Sequence, residues 1–428
     1  MYDVFSLPDF SFPEGFLWGS STAAHQVEGN NIYNQHWYDE QHGLFEEKSG
    51  MACNHYNLYK EDTKLLKDLG HQAYRFSIEW SRIEPVEGQF NHEALEHYVD
   101  ELRCLKESGI KTFVTLIHFT VPRWFFLKGR FDNIENIKYF ERYLEYILPE
   151  ISPYVDYWNV FNEINLENNT PEKAHVNINY VRYHALGYHL IKKYSKAPVS
   201  TAHALVHYMP YRSYDKFDKL LTEYRDWQQH EFFFHAIRTG EVLYPGCDAF
   251  YDKDIKDTCD FWSINCYVRS MIDARKANIL GDRYDHKVLE MVETRVKRNY
   301  GFKEMFPEGM FDIVTRMNDK PIMISENGCG CDDDRFRIVY LALHLSALAE
   351  AIRKGADVRG YMQWSLMDVW EWGTFAIKLG LVSVNRETFE RTPKPSAYFY
   401  KEIIENNGFT QEILRKYLKE MPSLAKDL

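Results

Sequence analysis

The chain repeats one order of elements, an amphipathic helix, a glycine and a short apolar strand, and this order constrains the possible fold most. Leucines at helical spacing precede Gly70 and Gly109, and a third helical pattern ends before Gly355. Glycine is suited to ending a helix because it takes the left-handed backbone conformation at no steric cost. An apolar run follows each of these glycines within three residues, at 72–78, 111–117 and 358–363.

Further apolar runs complete a series of about eight strands separated by helical patterns, which is typical of a parallel sheet built from β-α units. The other runs are 16–18, 157–161, 199–201, 261–264 and 321–324. About eight units in 428 residues favour a closed barrel over an open sheet. An open dinucleotide-binding sheet would need a G-x-G-x-x-G turn after its first strand, and residues 18–24 do not provide it. The sequence therefore predicts the α/β class, with residues 1–428 forming a single (β/α)₈ TIM barrel.

Composition narrows the possible partners and the location of the protein. The net charge of −12 argues against nucleic acid or an anionic membrane as a partner. The first residues do not resemble a signal peptide, and no apolar run is long enough to cross a bilayer. The seven cysteines are scattered, a pattern that favours reduced thiols. We therefore expect a cytoplasmic protein with neither nucleic acid nor a membrane as a partner, and of unknown oligomeric state.

Polar residues follow nearly every predicted strand. Because the carboxyl ends of barrel strands meet at one mouth, where barrel enzymes carry their active sites, we expect these side chains to converge on one pocket. In chain order they are Gln26, Arg75, His118, Asn162, Glu163, Asn265, Tyr267, Glu326 and Trp364.

Two of these positions pair a glutamate with an asparagine at the end of a buried strand. Glu163 follows Asn162 after the fourth strand, and Glu326 precedes Asn327 after the seventh. Two carboxyl groups flanking one bond are what glycoside hydrolysis requires. Either glutamate alone would be explained by a strand-end cap or an ion pair. The two together favour catalysis.

Five segments, in order, make the chain similar to glycoside hydrolase family 1, the β-glucosidase family of retaining enzymes. The resemblance runs from about Phe12 to about Tyr400, and its segments are 12–29, 74–82, 159–163, 324–328 and 364–372. It implies that Glu163 is the acid/base and Glu326 the nucleophile. Asn162 would bind the sugar 2-hydroxyl, and Arg75 and Tyr267 would hold the nucleophile.

The resemblance further implies a retaining exo-β-glycosidase that hydrolyses terminal β-D-glucosyl residues of small β-glycosides, with some tolerance for galactosyl or fucosyl groups. It implies no cofactor and no metal. The predicted substrate-binding residues, to which we add Asn265, are Gln26, His118, Asn265, Trp364, Glu371 and Trp372. We expect the aglycone to contact variable loops such as 125–134 and 271–300.

Two departures from the family pattern keep alternatives open. Ile164 stands where the family usually has proline, and Phe119 stands where it commonly has tryptophan, which affects sugar preference. One alternative is a sugar-binding pseudoenzyme. The other is a barrel metallohydrolase. Two observations argue against it: the first strand lacks an H-x-H motif, and Cys329 and Cys331 lack a second cysteine pair that would complete a zinc site.

Overall fold

Eight parallel strands close into a barrel in the computed structural model, which describes residues 3–166, 173–267, 269–275, 305–317 and 319–422. Each strand pairs with the next in the chain, and the eighth pairs with the first. The first to eighth strands are Leu17–Ser21, Ala73–Ser77, Lys111–Ile117, Tyr157–Asn162, Val199–Ala204, Trp262–Asn265, Ile322–Asn327 and Val358–Trp364. The predicted fold class is confirmed.

Helices connect the strands and surround the barrel. They are Ala24–Val27, Gln35–Gln41, His55–Asp68, Trp80–Ile83, His92–Glu107, Arg123–Leu127, Ile137–Ile151, Ala174–Tyr194, Lys216–Asp226, Phe232–Thr239, Pro307–Arg316, Asp334–Arg353, Pro395–Asn406 and Gln411–Tyr417. Within the described ranges, four two-stranded sheets lie outside the barrel. They pair Phe10–Ser11 with Gly408–Phe409, His207–Pro210 with Arg269–Ile272, Glu241–Val242 with Phe250–Tyr251, and Val382–Val384 with Arg391–Pro393.

The predicted helix–glycine–strand turns are present. Gly70, Gly109 and Gly355 have φ angles of +74°, +80° and +105°, in the region that favours glycine. At the first of these turns, the Gly70 N–H donates to Lys67 O and the His71 N–H to Leu66 O, at 3.0 and 2.9 Å. These bonds satisfy carbonyls at the helix end, so the chain can enter the second strand within three residues.

Apolar side chains fill the interior of the barrel, and polar side chains lie at its mouth. Phe113 lies in the third strand and Phe261 directly precedes the sixth, which is not its neighbour, and the two rings lie 5.9 Å apart inside the barrel. Ala73, Met323 and Met362 complete this interior cluster. The strands' outer faces pack against the helices in a larger core. Among the described helices, none is both long and apolar enough to cross a membrane.

Candidate active site

A cavity of about 300 Å³ opens at the mouth of the barrel, where the carboxyl ends of the strands meet. Polar and aromatic residues from the ends of the third, fourth, sixth, seventh and eighth strands line it. Of the predicted site residues, His118, Asn162, Glu163, Asn265, Tyr267, Glu326, Trp364, Glu371 and Trp372 line the cavity. The other two, Gln26 and Arg75, are fully buried behind these residues and hydrogen-bond to them.

Glu326 is the second-last residue of the seventh strand, and both of its carboxylate oxygens have donors. Arg75 donates from its guanidinium to Oε1, and the Tyr267 hydroxyl donates to Oε2 at 2.7 Å. Burial raises the pKa of Tyr267 well above its usual value, so the phenol keeps its proton and remains a donor. Held from both sides and 4% exposed, Glu326 is a fixed carboxylate facing the cavity.

Two asparagines connect Glu326 to the second glutamate. The Asn265 amide donates to Glu163 Oε1 at 2.8 Å and to Asn162 Oδ1 at 3.0 Å. Arg75 donates to the same Asn162 oxygen at 2.7 Å. Glu163 and Glu326, far apart in the chain, therefore belong to one hydrogen-bonded network across the barrel mouth.

Glu163 differs from Glu326 in its environment. Burial raises the pKa of Glu163 to about 8, with a further contribution from the charge of Glu326. Near neutral pH its carboxyl group therefore carries a proton. Its backbone has a φ of +52°, and two more cavity residues, Phe119 and Trp372, also have positive φ, +65° and +42°. Such conformations cost roughly 1–2 kcal/mol each and cluster at functional sites.

Unpartnered polar atoms remain next to the cavity in the described part of the chain. The Gln26 amide nitrogen donates to Glu371 Oε2 at 2.8 Å, but its Oε1 has no partner there. His118 is neutral because burial lowers its pKa, and its Nε2 accepts from the Asn162 amide at 3.1 Å. Its proton is therefore on Nδ1, which also lacks a partner. One free acceptor and one free donor suit the hydroxyl groups of a bound polyol.

Two tryptophans form the walls of the cavity. The His118 ring lies nearly parallel to those of Trp364 and Trp372, with centroids 5.8 and 6.1 Å away. Phe119 meets Trp372 edge to face at 5.2 Å. Large flat side chains with one polar edge fit the CH-rich face of a sugar ring.

The sequence did not reveal the apolar side of the cavity. Leu166, after the fourth strand, and residues 204–206, at the end of the fifth, form this side. The sequence predicts contacts between the aglycone and the loops 125–134 and 271–300. Residues 125–134 do not line the cavity, and 276–300 lie outside the described residues. The sequence does not mark residues 204–206 as part of a binding site, because apolar residues at these positions look like a continuation of the fifth strand.

Within the described residues, no group of three histidine, cysteine or acidic side chains is arranged to hold a metal ion. His203, in the fifth strand, has its Nε2 3.1 Å from Gln229 O. Cys329 and Cys331 are buried free thiols.

Comparisons with known proteins agree with this geometry. A family model described as glycosyl hydrolase family 1 matches residues 9–409. β-Glucosidase A of Acetivibrio thermocellus is 30% identical over 451 residues, which cover 93% of this chain and 99% of that relative. The structure of a β-glycosidase from Pyrococcus horikoshii has a TM-score of 0.88 at 34% identity and covers 96% of this chain and 98% of its own. A β-glucosidase from Thermotoga maritima in complex with glucoimidazole has a TM-score of 0.84 at 27% identity, covering 93% and 100%.

Proposed function

The chain belongs to glycosyl hydrolase family 1 and is a β-glycosidase, and we propose that it removes terminal β-D-glucosyl residues from small glycosides with retention of configuration. The observation that carries this proposal is the contrast between the two glutamates. Glu326 lies between a cation and a phenol donor, whereas the pKa of Glu163 is raised to about 8. One carboxylate and one carboxylic acid at a shared site are the pair that double displacement needs.

In the first step, a carboxylate oxygen of Glu326 attacks the anomeric carbon while the bond to the leaving oxygen breaks. Glu163 gives its proton to that oxygen, so the aglycone leaves as a neutral alcohol. Glu326 is now an ester and carries no charge. Because its charge is one cause of the raised pKa of Glu163, that pKa falls in the intermediate.

In the second step, the ionised Glu163 takes a proton from water, whose oxygen attacks the anomeric carbon. The bond to Glu326 breaks, the carboxylate is restored and Glu163 is again protonated. Attack on opposite faces in the two steps returns the original configuration. Arg75 and Tyr267 favour the release of Glu326 from the anomeric carbon because they stabilise its carboxylate as it re-forms.

The rest of the site is proposed to bind the glucosyl ring. Asn162 accepts from Arg75 and from Asn265, which contact Glu326 and Glu163, and we propose that it contacts the 2-hydroxyl, a bond that strengthens toward the transition state. Gln26 and Glu371 form one hydroxyl-binding pair, and the Nδ1 of His118 supplies a donor. The binding set is completed by Asn265, Trp364 and Trp372. A cavity of about 300 Å³ supports exo action on one sugar ring.

Three further parts of the proposal concern specificity and organisation. We propose some tolerance for galactosyl or fucosyl groups because Phe119 offers the sugar no hydrogen-bond donor. Residues 1–428 are proposed to act as one catalytic domain without metal or organic cofactor, since the two glutamates supply both the nucleophile and the proton. A cytoplasmic location is proposed from the seven cysteines, which are all free thiols.

The deciding experiment replaces each glutamate by alanine and adds azide. Glu326→Ala should be inactive on aryl β-glucosides until azide attacks the vacated face, which yields the α-glucosyl azide. Glu163→Ala should instead yield the β-glucosyl azide, because its glycosyl-enzyme still forms on Glu326. Inverted product from the wild type would refute retention. A wild type that binds a glucose-like inhibitor without cleaving any aryl glycoside would favour a pseudoenzyme.

A further inference from the structure

A side-chain amide fastens the turn that carries Glu163 to the neighbouring strand. Asn165 lies two residues beyond Glu163 and is 7% exposed. Its Nδ2 donates to Ala204 O at 2.8 Å, and its Oδ1 accepts from Ala204 N–H at 3.1 Å. The amide thus bonds to both backbone groups of one residue at the end of the fifth strand, as a paired strand would, although the fourth strand ends at Asn162.

The turn needs such an external support. Glu163 has a φ of +52°, which costs a residue with a side chain roughly 1–2 kcal/mol. The next residue is Ile164, where the family usually has proline. A proline ring would fix the φ angle at this position, whereas isoleucine leaves it unrestricted. Two backbone bonds hold the turn on either side of this residue: Glu163 N–H donates to Ala202 O at 2.8 Å, and Leu166 N–H to Glu163 O at 3.1 Å. Asn165 adds the two bonds that tie the turn to Ala204 directly.

A buried histidine packs against the Asn165 amide. His230 lies in the π-helical turn Trp227–Glu231, and burial lowers its pKa to about 3, so it is neutral. Its Nε2 lies 3.1 Å from Val206 O and 3.3 Å from Val206 N, which anchors the ring to the backbone just after the fifth strand. The Asn165 Nδ2 lies 3.4 Å from Nδ1 of this ring, so the histidine packs directly against the amide. Single π-helical turns occur often at functional sites.

From this geometry we propose that Asn165 is a positioning residue that aims the carboxyl group of Glu163 at the glycosidic oxygen. The inference rests on the proposed role of Glu163 as the acid. Its effect is confined to steps that need proton transfer. A displacement of about 1 Å at a reacting group can cost up to about 100-fold in rate, whereas the attack by Glu326 uses other contacts.

The test compares leaving groups that differ in their need for a proton. For wild type, Asn165→Ala and Glu163→Ala, kcat/KM is measured with 2,4-dinitrophenyl β-glucoside, which needs no acid, and with phenyl β-glucoside, which does. General acid catalysis contributes about 10²–10⁴-fold, so we expect Asn165→Ala to lose at least about tenfold on the phenyl substrate. On the dinitrophenyl substrate it should lose less than about threefold. The ratio of the two losses does not depend on how much of the variant is folded.

A matched control and a second variant keep the test decisive. Asn136 is also buried, and its amide donates to Lys128 O and Arg130 O at 2.9 and 2.8 Å, away from Glu163. Asn136→Ala should change both substrates equally. Asn165→Asp is nearly isosteric but loses both donors, and it should show the same selective loss if Asn165→Ala does not fold.

Equal losses of kcat/KM on the two substrates in the folded Asn165 variants would overturn the inference about Asn165. This holds even if Glu163→Ala loses activity on the phenyl substrate alone, as the acid role of Glu163 predicts. If Glu163→Ala showed no preference between the substrates, the proposed acid role of Glu163 would itself be wrong. The two failures are therefore distinguishable.

Discussion

The charge of Glu326 should set much of the proton affinity of Glu163, and Glu326→Gln removes this charge with little change in shape. Burial is the larger cause of the raised pKa of Glu163, and the charge of Glu326 is the next. Carboxyl groups of retaining pairs lie roughly 5–5.5 Å apart. At an effective dielectric constant of about 20, a unit charge at that distance contributes about 3 kcal/mol, or about 2 pKa units. We therefore expect the pKa of Glu163 to fall from about 8 to about 6 in the variant.

The assay is a ¹³C NMR titration of glutamate side-chain carboxyl carbons in wild type and Glu326→Gln. The Glu163 signal is assigned by its loss in Glu163→Gln. This step is needed because the pKa of Glu371 is also raised, mainly by burial, to about 8. Glu84→Gln is the control: this carboxylate is buried and accepts from Arg142, outside the cavity, and its removal should leave the Glu163 titration unchanged.

A Glu163 pKa that stays near 8 in Glu326→Gln would refute the reasoning. Burial alone would then account for the protonated acid, and formation of the ester at Glu326 would not convert Glu163 into a base. The proposed switch between the two steps would need another cause.

Three further predictions concern single side chains. Tyr267→Phe removes a donor to Glu326, and because hydrogen bonds to charged groups contribute about 1.5–3 kcal/mol, kcat/KM should fall roughly 10–150-fold. Tyr183→Phe, which removes a bond to Asn133 O outside the site, should leave kcat/KM unchanged. Phe119→Trp supplies an indole donor and should lower KM for aryl β-glucosides by up to about tenfold, from one added bond of about 1 kcal/mol; an unchanged or higher KM would contradict this. The pKa of Glu371 is raised from 4.5 to about 8, mainly by burial, so its contribution to stability is complete below pH 4.5 and is lost as pH rises through 8. Urea unfolding at pH 5 and 8 should therefore show a smaller loss of stability in Glu371→Gln than in wild type, and an equal loss would rule out this carboxyl group as a source of the pH dependence.

The sequence by itself determined the barrel and the order of its parts. Helical leucine spacing before Gly70, Gly109 and Gly355 is a local property, since it depends on residues within one or two turns of each other. The strand that follows each glycine and the polar residues at strand ends are local in the same sense. The barrel rule then predicts that Glu163 and Glu326 meet at one mouth, and the structure places them in one network.

Only the tertiary structure decided how that mouth is built. The apolar residues 204–206 have the same pattern whether they face a helix or a cavity, and closure of the barrel turns them toward the cavity. The two bonds from Asn165 to Ala204 join the ends of neighbouring strands, and the positive φ of Glu163 is held by such contacts. The raised pKa of Glu163 depends on burial and on a charge from a distant part of the chain. Periodicity specifies which face of an element is apolar, but contacts between elements depend on register and barrel closure, which bring together residues that have no relation in the sequence.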